Sequence, residues 1–481
     1  MARVYDLPAL VAGAPLDGDR RTVIRNPANV DEVVGTVPDL TASDVDNAVD
    51  AAAKAQPDWA ALTAQERAAT VLAAAERLAA IDDLAELVTR EQGKVGWEAS
   101  FEVGFFEVSA AANAELAIRL DEGDLLTDDG MGRLRRTWDP IGVVAAITPS
   151  NWPLALTSAK LVPALVGGNA VVIKPAPTTP LAVLTACHAV AGLFPPGLIS
   201  VVTGEADVVG GRLLEHPQVG MVSFTGGTAT GRTVAARCAP TLKNLALELG
   251  GNDAAVLLDD AVIDERLCGD LIAGAFTTTG QVCFAVKRVY VPRRLHDDLV
   301  EGLAGILGQL TSGDGLDPAS SMGPLHTQAG RRRVELLVDD AERRGAGVLR
   351  RGMVTGDPDK GWFLQPALVV GAPDDARLVV EEQFGPALPI LAYDHLDQAI
   401  ERANATEFGL ASSVWTADEE RGAVIARRLQ AGTTFVNAHG LFALDFNGPF
   451  GGVKQSGIGR ELGYEGLTSF TESHAISTRH L

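Results

Sequence analysis

The 481-residue sequence predicts an α/β protein in which a doubly wound parallel sheet is followed by a second α/β unit. Three observations lead there. Short apolar runs alternate with helix-length segments from residue 143 onward, the pattern of βαβ units around a buried parallel sheet. Hydrophobic residues make up 47% of the chain, yet only 5% are aromatic and 51 residues are glycine, which suits helices packed closely on a sheet. The length exceeds what one small core holds and indicates about two or three domains.

Taken in order, residues 1–40 read as extended and turn structure, because Asn26-Pro27 and Val37-Pro38 turn the backbone away from helix. Residues 41–120 read as helical. Thr41 or Ser43 can cap a run with apolar positions at Val45, Val49 and Ala52, and Thr63 with Glu66 forms a capping-box pattern before a long Ala/Leu stretch. Nearly all the charges of this half read as a solvated face. Residues 120–136 are acidic, then basic, with no core-like run, and predict a linker or a projecting hairpin. Strands are expected at 143–147, 170–173, 199–202, 221–224 and 245–249. A second block opens with an apolar run at 254–258. It continues through a helix near 331–343, a strand from Ile390 and the glycine-rich PFGGVKQSGIGRELG from Pro449. Residues 468–481 alternate weakly and predict a peripheral strand.

Acidic residues outnumber basic ones 62 to 40, and a net charge of −22 repels phosphate backbones and anionic bilayers. Nucleic acid and membrane are therefore not expected partners. Cys187, Cys238, Cys268 and Cys283 show neither CxxC spacing nor disulfide density, which fits a reducing compartment. Asp6, Pro8 and Asp17 interrupt the N-terminus, and no run of about 18 apolar residues occurs, so neither signal peptide nor membrane span is expected and the predicted location is cytoplasmic. The eight histidines lack ligand spacing, and no metal site is expected.

Ligands of parallel sheets bind beyond the carboxyl ends of the strands, so the residues that follow each run carry the functional reading. These are Thr148, Pro149, Ser150 and Asn151; Lys174 and Pro175; 225–231; and Glu248 before Gly250-Gly251. The segment FTGGTATGR, 224–232, ends a strand and opens a helix, where backbone N–H groups and the helix dipole suit phosphate. Its glycines do not fit GxGxxG. The P-loop spacing fits from Gly226 to Gly231 and Thr233, but Arg232 stands where that motif needs Lys, and a plain strand-to-helix turn is the competing reading. Lys174 can hydrogen-bond ribose hydroxyls, or is simply a lysine at a strand end. Asn151 lies in a Pro-flanked loop where turn chemistry is the ordinary reason for an Asn. Glu248, directly after an apolar triplet, is costly to bury unless partnered or used. Cys283 sits in FTTTGQVCFAVKR, 276–288, between a glycine-containing turn and an apolar run ending in two cations. Nearby positive charge favours the nucleophilic thiolate; a buried core thiol is the alternative. The other three cysteines lie in helical Ala/Leu/Val contexts and read as core.

TPSNWP, VVIKPAPTTP, FTGGTATGR, LELGGN, GQVC, EEQFGP and PFGGVKQSGIGRELG, in this order over nearly the whole chain, resemble the aldehyde dehydrogenase superfamily in its NAD(P)-dependent, hydrolytic form. The resemblance implies an aldehyde-dehydrogenase-like α/β fold of three parts. These are a doubly wound cofactor domain (1–117 and 141–250), an α/β catalytic domain (251–466) and a small β oligomerisation projection (118–140 and 467–481), assembled as a homodimer or homotetramer. It implies that Cys283 attacks the aldehyde carbonyl and that the Asn151 amide, with the Cys283 backbone N–H, stabilises the oxyanion. A hydride then passes to the nicotinamide, and Glu248 activates the water that hydrolyses the thioester, with Lys160 and Glu461 relaying its proton. By the same resemblance Glu382 and Phe384 position the nicotinamide ribose and ring, and Lys174 the adenosine ribose. Ile147, Thr148, Pro149, Ala176, Pro177, Phe224, Thr225, Gly226, Gly227, Thr230, Gly231, Leu249 and Gly250 complete the cofactor site. The implied cofactor is NAD or NADP, NAD ahead; Pro177 stands where NAD-preferring members often carry Glu, which leaves NADP open. Ala159 stands where many members place Trp, implying a wider channel. With Trp152, Leu156, Val282, Phe284, Phe442 and Phe105 or Phe106, this points to an apolar or aromatic aldehyde, core packing of these aromatics being the competing reading. An acylating dehydrogenase that passes the thioester to coenzyme A is disfavoured by Glu248, and a P-loop nucleotide hydrolase by Arg232. A catalytically silent binding protein is disfavoured by the joint presence of Cys283, Glu248 and Asn151.

Overall fold

Strand Val143–Ile147 is the centre of the first sheet in the computed structural model, which describes residues 3–479. Parallel strands flank it, Ala170–Lys174 on one side and Val219–Thr225 on the other, with Ile199–Val201 and Asn244–Glu248 beyond them. The chain thus builds outward on one side of Val143–Ile147 and then crosses to the other. Where the order reverses, the carboxyl ends of the strands open a crevice suited to a ligand. The strands bury both faces under helices, so they read as continuous Val/Ile/Ala runs rather than alternating ones. Helices Ala42–Ala60 and Ala64–Ala79 begin with capping boxes, Thr41 with Asp44 and Thr63 with Glu66. Thr41, not Ser43, is the cap.

Two additions to this sheet carry no sequence signal. The hairpin Ala9–Val11 and Ala14–Leu16 extends it antiparallel from Ile199–Val201. Gly457–Ile458 pairs antiparallel with Asn244–Glu248, and Leu467 and Phe470 are buried in the same core. Residues of 457–466, expected in the second unit, and of 467–470, expected in the projection, therefore return to the first sheet and its core.

The helical half also departs from a solvated face. Arg90, Glu91, Lys94, Glu98 and Glu102 are buried. Each has partners: Arg90 pairs with Glu32, Glu91 accepts the N–H groups of Leu181 and Ala182 at a helix start, and Lys94 pairs with Glu102. An unpartnered charge at such depth would cost several kcal/mol, roughly the stability of a small domain.

Asp253–Leu257 opens the second sheet between Val286–Pro292 and Ala411–Trp415. Ala387–Tyr393 and Ala367–Val370 continue it in parallel on one side and Thr433–Val436 on the other, with Gly347–Arg350 antiparallel at the edge. Residues 249–252 alone connect Asn244–Glu248 to Asp253–Leu257. So short a link makes the carboxyl end of the first sheet face the amino end of the second. The loop entering Val286–Pro292, which carries Cys283, is thereby placed against the crevice. Residues 120–136 include most of a hairpin, Asp124–Asp129 with Gly132–Pro140, which Thr471–Arg479 completes as a three-stranded antiparallel sheet. Residues 480–481 of the predicted peripheral strand lie outside the described residues. Among the described residues no helix is long and apolar enough to cross a membrane.

Candidate active site

A cleft with an empty volume of about 1460 Å³ opens at the carboxyl ends of the first sheet. Its walls include Ile147, Thr148, Pro149, Lys174, Ala176, Pro177, Phe224, Thr225, Gly226, Gly227, Thr230, Leu249, Gly250, Glu382 and Phe384. Gly231 is not among them. It lies in helix Thr228–Cys238 behind Leu249, where a Cβ would fall 2.4 Å from Leu249 Cδ2, so it allows the helix to close on the strand end. The cleft also takes in Thr233, which the P-loop spacing includes, and Ala206, Asp207, Gly210, Gly211, Leu214, Val234 and Arg237, which no motif marks. The available signal was the Gly210-Gly211 pair after strand Ile199–Val201, the third carboxyl end of the sheet.

The cleft fits an elongated ligand with sugars and phosphates. Lys174 is only 4% exposed, has no ion pair among the described residues, and the one side-chain hydrogen bond of its ammonium among them reaches the Pro175 carbonyl at 3.5 Å. Burial lowers its ammonium to about 8. Such an ammonium has donors to spare for ribose hydroxyls or phosphate. Gly227 faces open space at the start of helix Thr228–Cys238, whose first N–H groups suit an anion. Glu382 accepts the Gly251 N–H at 3.1 Å and stands 3.4 Å from Lys287. Phe384, beside it in the cleft wall, holds φ +50°. These residues fit a dinucleotide, with cation and amides for its phosphates and adenosine, and carboxylate and aromatic ring for the other sugar and base. Arg232 pairs with Glu407 at 2.9 Å and does not line the cleft, so no cation takes the place of a P-loop lysine.

A second chamber, with an empty volume of about 620 Å³, shares Asn151, Thr225 and Cys283 with the cleft. It is walled by Phe105, Trp152, Ala155, Leu156, Ala159, Val282, Phe284, Leu441, Leu444, Phe450 and Leu462, with Glu248 and Glu461 as its charged members. Phe106 packs into the first core instead. Phe442 does not line the chamber either. The single turn Leu441–Ala443 sends Leu441 inward and leaves Phe442 63% exposed, stacked on Trp97 at 5.8 Å and edge-on to Phe101 at 5.7 Å.

The Cys283 loop is built on unusual backbone. After helix Glu265–Phe276, Thr278, Thr279 and Gly280 take φ of 51°, 58° and 73°. Left-handed conformation costs a non-glycine residue about 1 kcal/mol or more, so two threonines in a row need anchors. Glu98 accepts the Thr278 N–H at 2.5 Å, and Thr279 Oγ1 donates to the Gly323 carbonyl at 2.8 Å. Of the two cations after Cys283, Lys287 donates to the Val282 and Cys283 carbonyls, while Arg288 turns away and donates to the carbonyls of Asn252 and Ala403. Burial pushes the Cys283 thiol up to about 12, with Glu248, Glu382 and Asp253 adding to the rise against Lys287. A base is therefore needed to ionise it at neutral pH.

Asn151 Nδ2 donates to the Gln281 carbonyl at 3.0 Å, which leaves its second N–H for another acceptor. Glu248 is buried and its Oε2 has no partner among the described residues. Burial first, then Glu461, raise its carboxyl well above the ordinary range, with Lys160 and Arg460 opposing. Lys160 lies behind the chamber in a buried ion pair with Glu461. The structure thus gathers Cys283, Asn151, Glu248 and Glu461 around one chamber, with Lys160 one contact further in.

The sequence model of the aldehyde dehydrogenase family matches residues 16–476. The chain is 38% identical over 477 residues to glutarate-semialdehyde dehydrogenase of Pseudomonas putida, covering 98% of this chain and 97% of that one. It is 37% identical over 470 residues to geranial dehydrogenase of Castellaniella defragrans, covering 96% of each. The crystal structure of an NADP-dependent enzyme of E. coli superposes with a TM-score of 0.92 at 36% identity, over 98% of both chains. The chain belongs to the aldehyde dehydrogenase family, a family of NAD- or NADP-linked oxidoreductases.

Proposed function

We propose that the protein oxidises an apolar aldehyde to its carboxylic acid with NAD or NADP, through a thioester on Cys283. The observation that carries this reading is the shared wall of cleft and chamber. Cys283 and Asn151 stand where the two cavities meet, and Glu248, whose Oε2 has no partner among the described residues, lines the chamber.

Glu248, whose basicity is raised by burial, takes the proton of the Cys283 thiol as the sulfur attacks the carbonyl carbon. The oxygen of the resulting thiohemiacetal accepts hydrogen bonds from Asn151 Nδ2 and the Cys283 N–H. A nicotinamide held in the cleft would supply the acceptor for the hydride that the thiohemiacetal carbon loses as the thioester forms. Glu248 passes the thiol proton outward past the neighbouring Lys160–Glu461 pair and is ionised again; it then removes a proton from the water that displaces the sulfur, and returns that proton to the departing Cys283 thiolate. Lys174, the N–H groups at Gly226-Gly227 and Glu382 hold the cofactor, and the absence of a carboxylate at Pro177 leaves room for a 2′-phosphate.

No lysine or arginine lines the chamber. A substrate with a distal carboxylate, such as the semialdehyde named for the Pseudomonas relative, would place that charge among Phe, Trp and Leu side chains and near two carboxylates, at a cost of several kcal/mol. An apolar aldehyde of the geranial kind meets no such penalty. Water activation by Glu248 favours hydrolysis over transfer to coenzyme A. Four unpaired thiols suit a cytoplasmic setting.

The test is reduced-nicotinamide formation from NAD and from NADP with aliphatic, aromatic, terpenoid and carboxylate-bearing aldehydes, with Cys283→Ala as control. Turnover of apolar aldehydes that disappears in the control is expected. A preference for semialdehydes would overturn the substrate assignment, and turnover surviving in Cys283→Ala would overturn the mechanism.

A further inference from the structure

We propose that Glu98 is a positioning residue that sets the Cys283 loop against the start of the helix that directly follows Asn151, acting in a buried triad with Lys94 and Glu102. This rests on the assignment of Cys283 as nucleophile. Glu98 and Glu102 are four residues apart in helix Gly96–Glu122 and so share one face, with Lys94 just before the helix. All three are buried. Lys94 forms an ion pair with Glu102, its charge also opposes the rise that burial imposes on the Glu98 carboxyl, and its ammonium lies 3.5 Å from the centre of the Trp152 ring.

The two carboxylates fasten different halves of the site. Glu102 Oε1 accepts the N–H groups of Leu154 and Ala155, at 2.7 and 3.2 Å, in the first turn of helix Pro153–Val166, directly after Asn151 and Trp152. Glu98 accepts the Thr278 N–H at 2.5 Å and the Val95 N–H at 3.3 Å. Thr278 is the first of the left-handed residues that turn the chain toward Cys283. From there the network closes on itself. The Thr278 carbonyl accepts from Gln281 Nε2 at 3.0 Å, and the Gln281 carbonyl accepts from Asn151 Nδ2 at 3.0 Å.

The loop and the helix belong to different sheets, and their relative placement decides whether sulfur and amide converge on one carbonyl. One helical turn with a shared ammonium spans both. Without Glu98 the Thr278 N–H is left unpaired inside the protein, and the left-handed pair keeps only the Thr279–Gly323 contact of its two anchors. The loop then relaxes while cleft and chamber keep their walls.

The experiment compares the parent, Glu98→Ala and Glu98→Gln. It measures the pre-steady-state rate of reduced-nicotinamide formation per titrated Cys283, the rate of Cys283 alkylation by iodoacetamide, the KM for cofactor and the melting temperature. Glu98→Ala should slow the burst by about tenfold or more, as small misplacements of reacting groups do, and change the alkylation rate while leaving cofactor KM unmoved. Glu98→Gln, which retains an acceptor for the Thr278 N–H, should recover most of the burst rate. Should Glu98→Ala fail to fold, Glu98→Asp, which withdraws the carboxyl by one methylene, should show the same loss. A burst rate per active site equal to the parent in the folded variant, with only the melting temperature lowered, would overturn the proposal. So would equal impairment in Glu98→Ala and Glu98→Gln. A parent that shows no burst dependent on Cys283 would instead defeat the reading of Cys283 as nucleophile.

Discussion

Glu248 illustrates how a residue suited to catalysis works against the fold that holds it. Its carboxyl is raised because the folded protein resists the charged form, so between the ordinary carboxylate range and the raised value the folded state carries a proton that the unfolded chain has lost. Stability is therefore intact below that window and falls as pH rises through it. Glu248→Gln removes this dependence. We expect the variant to melt higher than the parent at neutral pH, with the gap closing toward about pH 4, where both carboxyls are protonated. Its activity should show one burst of reduced cofactor and then stall at the thioester. In the parent, deacylation should weaken on acidification at a higher pH than an ordinary carboxylate would dictate, since Glu248 must be ionised to act. Melting curves across pH and stopped-flow traces test both halves, and steady turnover by Glu248→Gln at the parental rate would show that another group activates the water.

At the scale of elements, the core strands were legible because they are buried on both faces. The runs at 143–147, 170–173 and 199–202 match the observed strands to within one residue. Strands of two or three residues, such as Gly457–Ile458 and Ala9–Val11, are too short to carry a period, so their return to the first sheet was not legible. The segment from Arg90 to Glu102 was misread for a different reason. A buried ionic network and a solvated face use the same letters, and only the fold decides whether Lys94 meets Glu102 or water. The cofactor loop lies between these cases. Thr148, Pro149, Lys174 and Gly226-Gly227 were identifiable from strand ends, but the wall at 206–214 was not, and Gly231 is a packing residue whose role follows from Leu249 lying against it. Gly231→Ala must push the helix start and its N–H groups away from the cleft. Overpacking of this kind typically costs about 1–3 kcal/mol, so cofactor KM should rise about tenfold with aldehyde KM little changed. An unaltered cofactor KM would mean that the helix start does not contact the cofactor.

At the scale of the whole molecule, one part of the chain lacks the cover it needs. Strands Asp124–Asp129, Gly132–Pro140 and Thr471–Arg479 form a separate sheet whose two outer strands leave their ladder edges open, and eight of the nine residues of Thr471–Arg479 are exposed. Leu125, Leu126, Met131 and Ile476 project from it into solvent. A three-stranded sheet gains independent stability only by packing an apolar face, and open edges invite pairing with another chain. We therefore expect this sheet to be covered by a second copy of the protein, as a dimer or a dimer of dimers. Charge placed on both outer strands, Leu126→Asp with Ile476→Asp, should shift the protein toward monomer in light scattering. Cys283, Asn151, Glu248 and Glu461, by contrast, gather around one chamber within a single chain. The separated subunit should accordingly keep Cys283-dependent oxidation per active site while melting at a lower temperature. A parent that is already monomeric would refute the assignment of this sheet to assembly. Loss of activity per folded monomer would show that the partner supports the catalytic chamber as well.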